Sequence, residues 1–546
     1  MIHAYKNNFG INQYGFMPQK CCEKAINKAI LLTEKHIGRK KCVLWICVDF
    51  KAAFDTAWWT AILNGLIKKF KIPINLFALV SSFLNNRHAI IKQRDHIVGH
   101  RKLERSCPQG SIISPLLWNI LMDDILSRDL GCEKIAYADD CLFVILADNM
   151  IQLQNNSNQV LEKFSNLCQS IKLQINSEKT FFMIIKKNKI PKDFDIEINN
   201  VSLQRKDCAK YLDVTIGSNL KFNEHIKRIT TAALLKMISF YRLGNTIWGY
   251  FSKMLQVMYQ GVVESALTYA SSVWFKAVKV RTNCEKLHRT QKLFSTKILK
   301  VWKTFSFEEA AFLSGIVPLE YTVVTKASEY WCQRDLLKLK ECAAILGVNF
   351  DLPLIEQTAP PQKIYMYENL INNIAINIGD GKPGQDGCRI YTDGSKSENG
   401  VGCAYAVYKD QEIIESKKFA LSPDCGAFQA EIFAIFKASE YIISVGEYLQ
   451  VPNLRIVSDN QSGIKAIANP KTKNLLILNS RANLLASPIP IKLEWVRAHQ
   501  ADTFNNEVNL LAKQASSIVN TSHERCPKSV AISKIKNIIT NQYFTN

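Results

Sequence analysis

The sequence predicts an α+β chain of several domains, and three observations carry that prediction. At 546 residues the chain is too long for one hydrophobic core, so two to four domains are expected. Up to about residue 190, helical patterns alternate with short β-rich apolar runs, as in a sheet covered on one face. After a Pro- and Gly-rich stretch containing TAPPQK and GDGKPGQDG, a separate βββαβα pattern begins.

Taken in order, VLWICVDF and the pair KIAY and CLFVIL read as strands, while AWWTAILNGLIKKF and LLWNILMDDIL carry helical spacing. From about 205 to 345 the text is mainly helical, as in HIKRITTAALLKMISFYRLG. Beyond the linker, RIYTDGS, GCAYAVY and EIIESKKFAL read as strands, followed by a helix and the strand LRIVSD.

Composition is that of a folded protein, 47% hydrophobic and 21% charged, which argues against disorder. Charge is the unusual quantity: 69 Lys and Arg face 48 Asp and Glu, a formal +21. Such an excess favours a polyanionic partner. No apolar stretch is long enough to cross a bilayer, and the N-terminus lacks the apolar core of a secretory signal, so nucleic acid is preferred over membrane. The 16 cysteines show no zinc-type spacing and read as reduced, mostly buried side chains.

Two sets of acids carry the chemistry. In the first, Asp49 ends an apolar strand, and Asp139 and Asp140 occupy a turn between two more. Acids at buried strand ends are costly unless compensated, and a divalent cation such as Mg²⁺ compensates them. For either segment alone, an ordinary turn aspartate is the commoner case. In the second set, Asp393 lies in YTDGS at the end of a strand, and Glu431 lies early in a helix where Phe428, Ile432, Ile435 and Phe436 share a face. Asp459 ends the strand LRIVSD. These three would converge at one edge of a sheet, although Asp459 also reads as a helix N-cap.

The ordered text of the first half, NQYGFMPQK, VDFKAAFDTAWW, SCPQGSIISPLLWN, YADD, IKLQINSEKT and KYLDVTIG, resembles the Pol polyprotein of type-1 non-LTR retrotransposable elements. TDGS, AEIFAI, SDNQS and WVRAHQADTFNNEVNLLAKQA resemble the ribonuclease H domain. The resemblance implies a reverse-transcriptase palm (1–204, its fingers largely missing), a helical thumb and connection (205–345) and a linker (346–385). A ribonuclease H-like α/β domain (386–520) and a tail (521–546) follow. HRTQKLFSTKILKVWKT resembles the family's connecting helix.

It further implies an RNA-directed DNA polymerase with attached hybrid ribonuclease H. Such an enzyme uses two Mg²⁺ per site, an RNA template, a DNA primer, RNA–DNA hybrid and dNTPs. Asp49, Asp139 and Asp140 match the polymerase carboxylates. Phe54 matches the ring against the sugar 2′ position, with a core aromatic as the equal alternative. Gln109 and Gly110 match the turn against nucleotide and template, and Lys179 a lysine that meets the triphosphate or is simply a solvated side chain. Tyr211 and Leu212 match the primer grip, where Asp213 replaces the usual Gly and places a negative charge near primer phosphates. Asp393, Glu431 and Asp459 match ribonuclease H metal ligands, and His499 the loop histidine of product release. Asn509 stands where the fourth acid belongs, and it offers an oxygen without charge. Glu507 would point to the opposite face, while Asp502 could reach in from the loop.

The chain starts almost at QYGF, so an incomplete triphosphate clamp and reduced polymerase activity are expected, with slow hybrid cleavage from Asn509. The alternative is a catalytically decayed nucleic-acid-binding relic; a stand-alone ribonuclease H fails to explain PQGS and YADD. Lys221, Lys227, Arg228, Lys236 and Arg242 could track phosphates or form a solvated face. Trp248, Tyr250 and Trp274 read as core. Protein partners, compartment and insertion target are not written in the sequence.

Overall fold

A computed structural model describes residues 9–545 except 11, 186–190, 192, 244–249, 358–373, 380–386, 450, 452 and 498–502. The chain forms two compact units, one built mainly from residues 1–331 and the other mainly from 349–542.

In the first unit, helix α1 (Cys22–Gly38) leads into β1 (Cys42–Val48), followed by α2 (Trp59–Lys68), α3 (Ile74–Leu84) and a hairpin of β2 (His88–Gln93) and β3 (His96–Lys102). Helix α4 (Ser114–Ser127) precedes β4 (Glu133–Tyr137) and β5 (Asp140–Ala147). Then come α5 (Met150–Ser170), β6 (Phe181–Ile184), β7 (Gln204–Arg205) and the hairpin β8 (Cys208–Tyr211) and β9 (Val214–Gly217). The sheet order is β4-β5-β1-β6-β7. Helix α5 starts where the Asn149 side chain accepts the Gln152 amide at 2.9 Å, satisfying a free first-turn donor.

Strand β1 corrects the expectation of a sheet covered on one face. Leu44 and Ile46 face the main core with Phe143 and Phe164, while Trp45 on the other face donates its indole N–H to Thr33 of α1 at 2.9 Å. All of Cys42–Ile46 is buried, so helices cover β1 on both sides. An unbroken apolar run rather than an alternating one is the pattern of such a strand.

The same unit continues through α6 (Asn223–Leu243), α7 (Arg281–Leu299), α8 (Phe307–Ser314), α9 (Leu319–Trp331) and α10 (Leu336–Leu346). Trp274 is fully buried as expected, but Tyr250 is 42% exposed. Trp248, His499 and Asp502 lie outside the described residues, as does the side chain of Arg242.

The second unit is a seven-stranded sheet. Its elements are β10 (Ala375–Asn377), β11 (Cys388–Ser397), β12 (Gly400–Lys409), β13 (Glu412–Leu421), α11 (Ala427–Val445) and β14 (Leu454–Ser458). They continue with α12 (Gln461–Ala468), α13 (Leu475–Leu485), β15 (Ile491–Trp495), α14 (Thr503–Ala515) and β16 (Thr521–His523). The order is β10-β15-β14-β11-β12-β13-β16. Edge strand β10 comes from the stretch read as linker and β16 from the stretch read as tail. Ile432 and Ile435 of α11 are buried, whereas Phe428 is 40% exposed and leaves the face assigned to it. All 16 cysteines are free thiols, ten of them buried. No described helix is long and apolar enough to cross a membrane.

Candidate active sites

Strand register creates the first site. The β1–β5 pairing runs to Val48 opposite Cys141, so Asp49 leaves its strand beside Asp140. β4 and β5 close through Ala138 and Asp139, with Ala138 at φ +56°, a left-handed turn. Asp49, Asp139 and Asp140 then line one cleft of about 510 Å³ with Lys179, Tyr211, Leu212 and Asp213. The Asp49 carboxylate accepts from Asn176 at 2.9 Å, and its amide donates to Thr180 Oγ1 at 3.2 Å. Burial, then Asp139 and Asp49, push the Asp140 carboxyl up to about 6.

The QYG segment braces this turn. Residues 12–14 bond to Ala136 like an added strand, and the buried Gln13 Oε1 accepts from the amides of Ala138, Tyr14 and Gly15. A Cβ at Gly15 would lie 2.2 Å from the Ala138 nitrogen, so only glycine lets the two backbones meet. Gln13 and Asn176 are positioning residues that sequence reasoning passed over, because both act through contacts distant in the chain.

Other candidates are placed differently. Phe54 is outside the cleft lining and stacks on Trp118 with ring centroids 4.9 Å apart. Gln109 and Gly110 are exposed on a turn, Gly110 at φ +87°. That loop is tied back to Phe54, whose carbonyl accepts the Cys107 amide at 2.6 Å. Asp213 sits at φ +64° in the two-residue turn between β8 and β9, the backbone region that explains the usual glycine. Its carboxylate is paired with Lys210 at 2.7 Å, a bond that lowers its pKa, and Arg228 bonds its carbonyl. The unfavourable charge expected near primer is thus met within the hairpin. Arg228 is bound to this hairpin, through Thr215 as well, while Lys221, Lys227 and Lys236 are exposed.

The second site is tighter. Ligand oxygens of Asp393, Glu431 and Asp459 lie within 4.8 Å of one another, a spacing that Asp49, Asp139 and Asp140 do not reach. Strands β11 and β14 pair in parallel to Thr392 opposite Ser458, which sets Asp393 abreast of Asp459 on central strands rather than at an edge. Asp393 lies within β11, not at its end, because the strand continues to Ser397. Helix α11 approaches so closely that a Cβ at Gly394 would meet the Glu431 nitrogen at 2.3 Å. Asn460 caps α12 by accepting from Gly463 at 2.8 Å, the role sequence reading gave Asp459.

Burial, then Asp459, push the Asp393 carboxyl up to about 7, while Lys513 and the Gly394 amide oppose the rise. Burial, then Asp393 and Asp459, hold Glu431 well above the usual carboxylate range. Its buried Oε2 has no hydrogen-bond donor among the described residues. Crowded buried carboxylates with an orphaned oxygen are a donor set that suits divalent cations. Asn509 is half-buried on α14, and Lys513 stands one turn beyond it. Glu507 turns away to accept the Tyr408 hydroxyl at 2.9 Å.

Residues 1–216 match the reverse transcriptase (RNA-dependent DNA polymerase) family, and residues 385–517 match RNase H. The chain carries a reverse transcriptase domain and a ribonuclease H domain. Both families are generally dependent on divalent metal. A 115 kDa protein in type-1 retrotransposable element R1DM of Drosophila melanogaster is 26% identical over 59% of this chain and 31% of its own length. A retrovirus-related Pol polyprotein from element R1 of Bradysia coprophila is 25% identical, over 54% and 30%. The chain thus spans about a third of the length of these curated relatives. Among solved structures, an apo telomerase from Candida tropicalis is similar at 12% identity and a TM-score of 0.29, over 38% of this chain and 39% of that one. The N-terminal RNase H domain of a Mycobacterium tuberculosis protein is similar at 21% identity and 0.20, over 24% and 98%. The reverse transcriptase match runs through the β8–β9 hairpin, which lies beyond the palm boundary drawn at residue 204.

Proposed function

We propose that the chain is an RNA-directed DNA polymerase with an attached RNA–DNA hybrid ribonuclease H, both using Mg²⁺, from a non-LTR retroelement. The supporting observation is that two separate sets of acids line sites in the two domains whose families use divalent-metal phosphoryl transfer.

In the first site, Asp49 and Asp139 would hold the cations with Asp140 beside them. When bound, the cations lower the pKa of the attacking primer hydroxyl or water and neutralise the leaving group. Lys179 lines the same cleft, where its positive charge would meet the triphosphate. Tyr211 and Leu212 would seat the primer end, with the Lys210–Asp213 pair keeping that turn close to neutral. Phe54 against the sugar, and Gln109 and Gly110 against nucleotide and template, belong to the same proposal. In the second site Asp393, Glu431 and Asp459 would hold metal, with Asn509 as an uncharged fourth oxygen and His499 assisting release.

Primer extension on poly-A with oligo-dT, run beside cleavage of a labelled RNA–DNA hybrid with Mg²⁺, tests this. Both products support the reading. Tight hybrid binding with neither product would favour the decayed relic, which the two family matches and the six retained acids argue against.

A further inference from the structure

A third set of ligand-type side chains lies outside both sites, in the helical part of the first unit. Cys284 and His288 are four residues apart on α7, so they share a face. Glu320 is the second residue of α9. Ligand atoms of the three lie within 4.8 Å of one another. Cys284 Sγ is 3.4 Å from His288 Nε2, and Glu320 Oε2 is 2.7 Å from the same nitrogen.

That convergence separates two chemistries. A Cys–His–acid catalytic set needs thiol and carboxylate on opposite ring nitrogens, so that the acid orients the ring while the other nitrogen takes the proton. Here both address Nε2, as ligands around one ion must. The sulfur–nitrogen separation already suits adjacent corners of a zinc tetrahedron, whose edges are roughly 3.2–3.7 Å for bonds of about 2.0–2.3 Å. The nitrogen–oxygen pair needs to open by only about half an ångström.

The site is also built. The His288 ring is stacked on Phe307, centroids 4.0 Å apart at 14°. Gln291, fully buried and one turn along α7, accepts the Leu319 amide at 2.9 Å and donates to the Val317 carbonyl at 2.9 Å. These bonds fix the start of α9, and hence Glu320, against His288. The side chains of His288 and Glu320 are 27% and 16% exposed, so solvent reaches them and a water would supply the fourth ligand.

We propose that Cys284, His288 and Glu320 bind a Zn²⁺-type ion that clasps α7 to α9. A thiolate with an imidazole selects zinc or cobalt over magnesium, so this ion would be distinct from those of the two carboxylate sites.

The full chain, stripped with chelator and desalted, should be titrated with Co²⁺. The expected result is a sulfur-to-cobalt charge-transfer band that Zn²⁺ abolishes and excess Mg²⁺ does not. Cys284→Ser should remove the band while circular dichroism stays unchanged, and Glu320→Gln should weaken Co²⁺ binding about tenfold or more. If Cys284→Ser alters the dichroism, the Glu320→Gln affinity decides. A wild-type chain without the band has only a His288–Glu320 ion pair there, and the proposal fails. It fails equally if the band persists in Cys284→Ser or if Glu320→Gln binds Co²⁺ as tightly as wild type.

Discussion

At the scale of single residues, the site proposed for polymerisation depends on Gln13 as well as on its acids. One carboxamide oxygen takes three amides around the YADD turn, so its loss leaves buried donors unmet and the turn free to shift. Gln13→Ala is expected to lower kcat for primer extension by up to about a hundredfold with KM for nucleotide little changed. Gln13→Glu, which keeps an accepting oxygen, should recover much of the rate. In the second site as proposed, Asn509→Asp would supply the fourth acid that the family resemblance expects, next to carboxyls already pushed upward by burial and by one another. It should tighten Mg²⁺ binding by about tenfold or more and quicken hybrid cleavage, read by calorimetry and a gel assay. The acids were singled out by the ordered motifs around them, since an acid at the end of one apolar strand is more often an ordinary turn residue. Gln13, Asn176 and the Gly394–Glu431 approach were not, since each exists only once distant segments meet.

Among elements, the β8–β9 hairpin is the piece most exposed to conditions. It is docked on α6 through His225, which is buried and accepts the Thr215 amide at 3.2 Å through Nδ1. Burial, then Arg228, lowers the His225 pKa from its ordinary 6.5 to about 4. A lowered value means the folded state favours neutral imidazole. The stabilisation is therefore complete above pH 6.5 and is lost as pH falls through about 4. Hydrogen exchange of residues 208–217 should accelerate across that window, and His225→Asn should flatten the dependence. Long strands and helices could be read from period and residue type. Strands β10 and β16, three residues each, are too short to show any period. Phe428 was misplaced because helical spacing assigns a face without knowing where the partner surface ends, and Tyr250 because its size alone assigned it to the core.

For the whole molecule, two compact units each hold one set of acids, so the activities should be separable. Asp139→Asn is expected to abolish synthesis and leave hybrid cleavage at the wild-type rate; Asp393→Asn should do the reverse. Equal loss of both activities in either variant, measured side by side, would overturn the assignment of one reaction to each unit.

The order of strands in the second unit also bears on how it is made. β13 is ten residues long, and among the described residues its outer side is paired only near its end, by β16, which emerges a hundred residues later. On the ribosome, the Ala420–Leu421 end of that strand must wait unpaired until residues 521–523 arrive, a period of several seconds at about 5–20 residues per second. A nascent chain stalled in between offers an edge that other chains can extend. The charged side chains along β13, Glu412, Glu415, Lys417 and Lys418, blunt that edge against pairing with other chains while the end of the sheet is still being synthesised.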